Sequence, residues 1–267
     1  MASHTQLRGS KSLSPSRVEA LLNCPLKAIV GNLAEDPSGA EHLLRGTMAH
    51  AFLEAIGRGV DAEKARLLVM EAYELILDVP QWQLQTKLNE FSRLLERTQQ
   101  WAQQSEVKNE LVGVEVPVYV EVAPDIRVGG FMDRLMQDGD GNYLVVDLKT
   151  GKSAATQAEA EENRQLMTYQ LALSRGSFDG QRVRDGEGMP RAGGVLVYPG
   201  KDSSKITTRT QSQLTAEALE EFSVLLPPLV VELRGPQLTA RTNKDCDKCP
   251  IRTICPVQEE GKMTIHA

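Results

Sequence analysis

Hydrophobic residues in the first part of the chain recur at helical spacing. In the segment that begins at Ser14 they lie three or four residues apart, and Ser14 or Ser16 is a suitable N-cap. A second helix is predicted over residues 45–56, and two amphipathic helices are predicted over residues 61–105, with a break around Val79-Pro80. The stripes of Leu, Phe and Trp on these helices are typical of core packing.

A different pattern begins near residue 111. Valine alternates with polar residues over residues 111–130, which predicts β-strands. Two apolar strands flank the sequence Asp138-Gly139-Asp140-Gly141, which is typical of a hairpin because Gly and Asp tolerate positive φ. The following pattern predicts a helix over 163–174, a short buried strand over 194–199 and a helix around 215–233. We therefore expect an α/β fold, with a mixed β-sheet core flanked by helices and a helical N-terminal elaboration.

The predicted hairpin carries three charged residues that apolar strands seldom hold. Its register sets Asp133 nearly opposite Asp147, and Lys149 shares a face with Asp147 because the two are two residues apart. Close carboxylates repel each other unless a cation lies between them, and Mg²⁺ and Mn²⁺ prefer oxygen ligands. The alternative is a surface hairpin with one cross-strand salt bridge. For Glu115, an exposed charge at a sheet edge is expected rather than a position facing this patch.

Two helices carry further candidate residues. His50 shares a helix face with Gly46 and Glu54, since the three residues are spaced by four. A glycine one turn before the histidine lets a ligand or another backbone approach closely. A histidine on a helix, taken by itself, is nevertheless more often structural or exposed than a ligand. Gln165 and Tyr169 are also four residues apart, so their polar ends share a face of the predicted helix over 163–174.

The composition is ordinary for a globular protein. The 267 residues are 41% hydrophobic and 25% charged, and the formal net charge of -6 neither indicates nor excludes nucleic-acid binding. The polar N-terminus does not look like a signal peptide and the apolar runs are too short to span a bilayer. We therefore expect a cytoplasmic protein without membrane contact. Residues 1–13 are expected to be a flexible lead, and residues 257–267 a flexible tail.

The four cysteines are placed unevenly. Cys246, Cys249 and Cys255 lie close together in the sequence, whereas Cys24 lies on the first predicted helix or at a break near Pro25. In a reducing compartment, clustered cysteines bind metal more often than they form disulfides. Cys24 is the one remaining partner for the other three. Four thiolates suit either an iron–sulfur cluster or a tetrahedral zinc ion, and spacing alone does not separate the two.

Six segments of the chain resemble the PD-(D/E)XK nucleases of the RecB type, in the branch that carries an iron–sulfur cluster. That branch includes the AddB nuclease domain and the nucleases of CRISPR spacer acquisition. In chain order the matching segments are SPSRVEALLNCP, RGTMAHAFLE, GFMDRL, VVDLKTG, QLMTYQLAL and CDKCPIRTIC. Each motif alone is weak, but six in the family's order, using every cysteine, form a specific match. Met132 stands where the family signature has proline, at a position that varies within the superfamily.

The resemblance implies a restriction-endonuclease-like fold and a set of metal ligands. His50, Asp133, Asp147 and the backbone carbonyl of Leu148 would bind Mg²⁺ or Mn²⁺, and the metal would polarise the scissile phosphate. Lys149 would orient or activate the attacking water and neutralise charge on the phosphoryl oxygens.

The resemblance also implies roles outside the metal site. Gln165 and Tyr169 would position the DNA strand or the catalytic residues. Arg134 and Lys152 would contact phosphates, or are solvated charges. The four cysteines would hold a [4Fe–4S] cluster that staples the two ends of the chain together, with a structural Zn²⁺ site as the alternative.

The implied function is that of a metal-dependent DNA exonuclease. It would hydrolyse phosphodiester bonds in single-stranded or end-containing DNA during recombination, repair or phage DNA processing. Residues 14–256 would form one nuclease domain with a helical insertion at about 57–106. The sequence has no helicase phosphate loop, so unwinding would need a separate helicase or recombination partner. The alternatives are a non-catalytic iron–sulfur or zinc module that binds DNA or a partner and, ranked last, a sequence-specific endonuclease.

Overall fold

The computed structural model describes residues 11–31, 40–200, 205–233 and 238–265. Within these ranges eight strands form one sheet. They are β1 (Lys11–Leu13), β2 (Glu110–Ala123), β3 (Ile126–Gln137), β4 (Tyr143–Leu148), β5 (Gly176–Phe178), β6 (Val183–Asp185), β7 (Arg191–Tyr198) and β8 (Thr207–Gln211). The order across the sheet is β5-β6-β2-β3-β4-β7-β8, and β1 pairs with β3 outside that path. Antiparallel pairs join β2, β3 and β4, whereas β4 and β7 are parallel, so the sheet is mixed as predicted.

The helices of the described residues precede, interrupt and follow the strands. They are α1 (Pro15–Asn23), α2 (Pro25–Val30), α3 (Ala40–Gly57), α4 (Ala62–Ile76), α5 (Gln81–Glu106), α6 (Gln157–Glu161), α7 (Arg164–Ser174), α8 (Ala216–Val224), α9 (Leu226–Leu233) and α10 (Glu259–Ile265). Ser14 caps α1 by accepting a hydrogen bond from the backbone N–H of Arg17, as its position in the sequence predicts. The break between α4 and α5 at Pro80 is confirmed, whereas α3 begins at Ala40, earlier than predicted.

The central sheet separates two hydrophobic cores. Helices α1, α7, α8 and α9 pack on one core, and α3, α4 and α5 pack on the other. Val145 and Val146, successive residues of β4, belong to different cores because side chains alternate across a strand. Of the predicted helical N-terminal part, α3, α4 and α5 therefore cover one face of the sheet, while α1 lies on the other face with α7, which carries Gln165 and Tyr169.

The turn between β3 and β4 has the predicted chemistry. Asp138 Oδ1 accepts hydrogen bonds from the backbone N–H groups of Asp140 and Asn142, at 3.0 and 2.8 Å. Gly141 has a φ of 84°, a value that glycine adopts without steric cost. This turn fixes the register of the two strands that carry the candidate site.

The two ends of the chain differ from the predicted flexible segments. Residues 1–10 of the predicted lead lie outside the described residues, but Lys11–Leu13 form β1, and Leu13 is buried against the sheet. In the predicted tail, Glu259–Ile265 form α10. A Cβ at Gly261 would overlap the backbone of Cys255, so this helix lies directly against the cysteine-bearing segment.

Candidate active site

The hairpin places two carboxylates at the same level of the sheet. The pairing of β3 with β4 runs to Arg134 and Val146, and the next positions in that register are Asp133 and Asp147. The predicted opposition of Asp133 and Asp147 is therefore confirmed.

Asp133 connects the sheet to helix α3. Its Oδ1 lies 3.2 Å from Nδ1 of His50, and its Oδ2 accepts a hydrogen bond of 2.7 Å from the backbone N–H of Leu148. Gly46, one turn before His50, allows α3 to approach the chain just beyond β4. A Cβ at Gly46 would lie 3.3 Å from the hydroxyl oxygen of Thr150. The group that approaches Gly46 is thus a side chain rather than the backbone or ligand expected from this glycine, and the contact lies one turn from His50.

Asp147, Lys149 and Gln165 form a closed set of polar contacts. Lys149 Nζ lies 2.8 Å from Asp147 Oδ2 and donates to Gln165 Oε1 at 2.7 Å, while Gln165 Nε2 donates to Asp147 Oδ1 at 2.5 Å. Asp147 and Gln165 are buried. Among the described residues, the Lys149 ammonium is the one polar group near Asp147 Oδ2, since this buried oxygen accepts no well-aligned hydrogen bond.

Glu115 on β2 belongs to the site, although the sequence analysis placed it at an exposed edge. One ligand atom from each of His50, Glu115 and Asp133 lies within 4.8 Å of the others, the single group of this kind found among the described residues. Glu115 is partly buried and has a φ of 45°, in the left-handed region that residues with a Cβ rarely adopt. The expectation of an edge charge is wrong. The register of β2 against β3, which sets Glu115 opposite Asp133, is the feature that could have identified it.

The charges of this site fit a divalent cation. Burial opposes protonation of His50, but the hydrogen bond to Asp133 and the charges of Asp133, Asp147 and Glu115 outweigh it and raise the pKa of His50. Burial and the charge of Asp133 raise the pKa of Glu115. Burial also raises the pKa of Asp147, despite the opposing charge of Lys149. Three carboxylates with one imidazole therefore carry negative charge that a bound cation would compensate.

Tyr169 supports the sheet next to this site. Its hydroxyl donates to the backbone carbonyl of Phe131 on β3 at 2.5 Å, and its side chain is buried. Burial, followed by the charges of Asp147 and Asp133, raises its pKa, so the phenol keeps its proton. Of the two roles predicted for Tyr169, this contact favours positioning of the catalytic strand over contact with DNA.

The two predicted phosphate contacts have different surroundings. Arg134 is fully buried, lies 2.5 Å from Glu106 and faces the ring of Trp101, because α5 covers that side of the sheet. The prediction that Arg134 contacts phosphate or is solvated is therefore wrong. Lys152 is exposed and 3.4 Å from Glu90, as a solvated charge would be.

The stability of the metal-free protein should fall as the pH rises through the raised pKa of His50. Protonated His50 contributes stability that is fully present below its ordinary pKa of 6.5 and is lost as the pH rises through the higher folded pKa. Thermal denaturation in EDTA at increasing pH above 6.5 measures this loss, and His50→Gln should remove it. Mn²⁺ affinity should change in the opposite sense, since the proton and the ion compete for the imidazole. The same pH dependence in parent and variant would contradict the assignment.

The four cysteines line one cavity between the two ends of the described chain. They are Cys24, Cys246, Cys249 and Cys255. Cys24 ends α1 and begins α2, at the break predicted near Pro25. Its sulfur accepts a hydrogen bond from the backbone N–H of Lys27 at 3.5 Å, and the sulfur of Cys246 accepts one from the N–H of Asn243 at 3.2 Å. The fold therefore brings together all four thiols that the sequence analysis grouped.

The mixed sheet and α3 together place His50, Glu115 and Asp133 as a group that could hold a metal ion, beside the central hairpin. A family model for the PD-(D/E)XK nuclease superfamily matches residues 12–256. The chain belongs to this superfamily, whose nucleases generally use Mg²⁺ or Mn²⁺.

Two further comparisons add little to this assignment. No curated protein matches the chain. Among solved structures, the crystal structure of SSO0001 is similar at 13% identity and a TM-score of 0.45, over 95% of this chain and 90% of that one. A likeness at that level carries no argument about function. In the described part of the chain, none of the helices combines the length and the apolar character needed to cross a membrane.

Proposed function

We propose that the chain is a Mg²⁺- or Mn²⁺-dependent DNA exonuclease of the RecB type, acting on single-stranded DNA or DNA ends. The observation that carries this proposal is the His50–Glu115–Asp133 group beside the buried carboxylate of Asp147, which pairs with the partly exposed ammonium of Lys149. Membership of a nuclease superfamily supports phosphodiester hydrolysis as the reaction. In this proposal residues 14–256 form one nuclease domain, which acts in the cytoplasm during recombination, repair or phage DNA processing.

The donor atoms of the site are those that hard divalent cations prefer. His50, Glu115 and Asp133 would hold the ion from three different elements of the fold, and Asp147 with the Leu148 carbonyl would complete its ligands. When bound, the ion polarises the scissile phosphate and lowers the pKa of a coordinated water. Apart from the Lys149 ammonium, Asp147 Oδ2 has no polar partner in the described part of the chain, which supports the place of Asp147 in this set.

Lys149 would act through its positive charge. Burial lowers its pKa, but the contact with Asp147 and the charges of Glu19 and Asp133 outweigh that effect, so the pKa is raised. Lys149 is therefore an ammonium at neutral pH. Held by Gln165, it would orient the attacking water or donate to a phosphoryl oxygen, and it would neutralise the charge that develops there.

The linear or circular form of the substrate tests the exonuclease assignment. End-labelled linear single strands should be shortened, while covalently closed circles of the same sequence should survive in Mg²⁺. Cleavage of both forms at equal rates would replace the exonuclease with an endonuclease. The sequence holds no helicase phosphate loop, so we also propose that a separate helicase or recombination partner supplies unwinding. Blunt duplex ends should then be poor substrates for the chain alone.

We propose that the four cysteines hold a [4Fe–4S] cluster. At a tetrahedral zinc ion with Zn–S bonds of about 2.3 Å, the sulfur atoms lie about 3.8 Å apart. No three of the four cysteine sulfurs, which all belong to described residues, lie within 4.8 Å of one another. The order of the six motifs, which is that of the cluster-carrying branch, supports the larger cluster over the structural Zn²⁺ alternative. Lys27, Arg241 and Arg252 line the same cavity and would offset the negative charge of the thiolates.

Replacing Cys255 with Ser should remove the cluster and destabilise the protein. Anaerobically purified parent protein should contain about four iron atoms per chain and absorb broadly in the visible range. Cys255→Ser should lose both properties and unfold at a lower temperature, because the cluster joins the two ends of the described chain. Lys248→Gln, an exposed change between two of the cysteines, is the matched control. A colourless parent protein that contains one zinc ion per chain would contradict the cluster assignment and would not affect the nuclease assignment.

A further inference from the structure

A trough runs from the metal group along β2 toward the β5–β6 edge of the sheet. One cavity there has Glu115 and Phe131 in its wall, and a neighbouring cavity has Tyr119 in its wall. The two cavities share Pro117 and Arg182, so they form one continuous path, called the β2 trough below. Because Glu115 belongs to the metal group, a chain lying in this trough would reach the metal site at one end.

Two aromatic side chains are exposed along the β2 trough. Phe131 is 59% exposed and Tyr119 is 48% exposed. Phe131 lies two residues before Asp133, and the hydrogen bond from Tyr169 to its backbone holds this part of β3 in place. The guanidinium of Arg127 lies 5.1 Å from the centre of the Tyr119 ring and supports that ring. Exposed rings on held strands offer faces on which planar groups can stack.

The outer end of the β2 trough carries cations that are only partly neutralised. The side chains of Arg182 and Arg184 are 48% and 56% exposed. Both guanidinium groups approach the same carboxylate, that of Asp179, at 3.6 and 4.0 Å. One negative charge therefore faces two positive charges at distances that allow either arginine to turn to a phosphate. Positively charged grooves that also carry exposed aromatic rings are characteristic of surfaces that bind single-stranded nucleic acid.

We propose that the β2 trough binds a single-stranded segment of the DNA substrate. Phe131 stacks on the base nearest the scissile phosphate, Tyr119 stacks on a base farther along, and Arg182 and Arg184 contact the backbone. A paired duplex offers no free base faces to these rings, so the trough selects single strands. This inference rests on the proposed nuclease function and adds the path of the strand and the residues that hold it.

Fluorescence anisotropy with a labelled oligothymidine of about 12 nucleotides, in Ca²⁺ so that no cleavage occurs, tests this path. Phe131→Ala should weaken binding of the full-length, cluster-containing protein by about 5- to 150-fold, the effect of losing one stacked base. Phe131→Trp should retain binding, since the indole supplies the same kind of face. Binding of a blunt duplex should be the same in all three proteins. Trp82→Ala, which removes a ring that is 80% exposed at the start of α5, is the control.

Salt dependence tests the arginines separately. Removing Arg182 and Arg184 together should reduce the slope of log affinity against log salt concentration by about 1.4, since each phosphate contact on a single strand contributes about 0.7. The trough would be excluded as the binding path if the arginine variant kept the parent salt slope and Phe131→Ala kept the parent affinity. The nuclease function would stand if the parent protein still cleaved DNA with Mg²⁺. Equal losses for duplex and single strand would also overturn it. A parent protein that neither binds nor cleaves DNA would instead contradict the proposed nuclease function and, with it, the role proposed for the β2 trough.

Discussion

Replacing Lys149 with Ala is expected to lower the rate of single-strand cleavage by about 100- to 1,000-fold, the usual cost of removing one donor to developing charge. The ammonium lies 2.8 Å from Asp147 and is held by Gln165, so its position is fixed before substrate arrives. Initial rates of label release from linear single-stranded DNA at saturating Mg²⁺ measure the effect.

A matched control distinguishes the loss of the Lys149 ammonium at the site from the loss of one positive charge elsewhere on the surface. Lys152 lies three residues farther along, is exposed and contacts Glu90 only at 3.4 Å, so Lys152→Ala should keep the parent rate. Because Lys149→Ala leaves the buried carboxylate of Asp147 without its cation, Lys149→Met, which retains most of the side-chain volume, should be measured beside it. Thermal unfolding of both variants shows whether they fold. A folded variant that cleaves at the parent rate would exclude Lys149 from the reaction.

Replacing Glu115 with Gly should weaken Mn²⁺ binding while leaving the metal-free fold equally or more stable. The φ of 45° costs a residue with a Cβ roughly 1–2 kcal/mol, and glycine adopts such values freely. The change also removes a carboxylate whose pKa burial and Asp133 already raise. Loss of a ligand should reduce Mn²⁺ affinity by at least about tenfold, the smallest effect seen for residues that merely support ligands. Calorimetric titration gives the affinity, and denaturant unfolding in EDTA gives the stability.

Two further variants show whether backbone strain at Glu115 is maintained for metal binding. Glu115→Gln keeps the Cβ, so it should weaken Mn²⁺ binding without relieving the left-handed backbone. Glu110→Gln, an exposed change at the start of β2, should alter neither quantity. If the strain at Glu115 is maintained for metal binding, Glu115→Gly should lower the Mn²⁺ affinity and raise the stability of the metal-free protein. Reduced stability with unchanged Mn²⁺ affinity would make Glu115 a structural residue.

The central hairpin can be predicted from sequence because its determinants are local. The turn that begins at Asp138 and ends in the positive φ of Gly141 fixes the register of β3 and β4. That register then sets Asp133 against Asp147, and the two-residue period of a strand sets Lys149 beside Asp147. Three of the site's charged groups thus follow from about twenty residues of sequence.

The errors of the sequence analysis share a non-local cause. Glu115 lies beside Asp133 because of the register in which β2 pairs with β3, and the alternation of residues within β2 alone does not encode that pairing. Arg134 is buried because α5, which ends at Glu106, packs over β3. In each case a neighbouring element decides the environment of the side chain. The grouping of the cysteines was predictable, since each of the four has only the other three as partners.

Metal-dependent cleavage at the hairpin site is tested most directly with end-labelled linear single-stranded DNA and anaerobically purified protein. With Mg²⁺ or Mn²⁺ the label should be released from the ends, and EDTA or the Lys149→Ala substitution should stop the release. A folded protein with an intact cluster that cleaves neither linear nor circular DNA with either metal would contradict the nuclease assignment. The chain would then be a non-catalytic iron–sulfur module that binds DNA or a recombination partner.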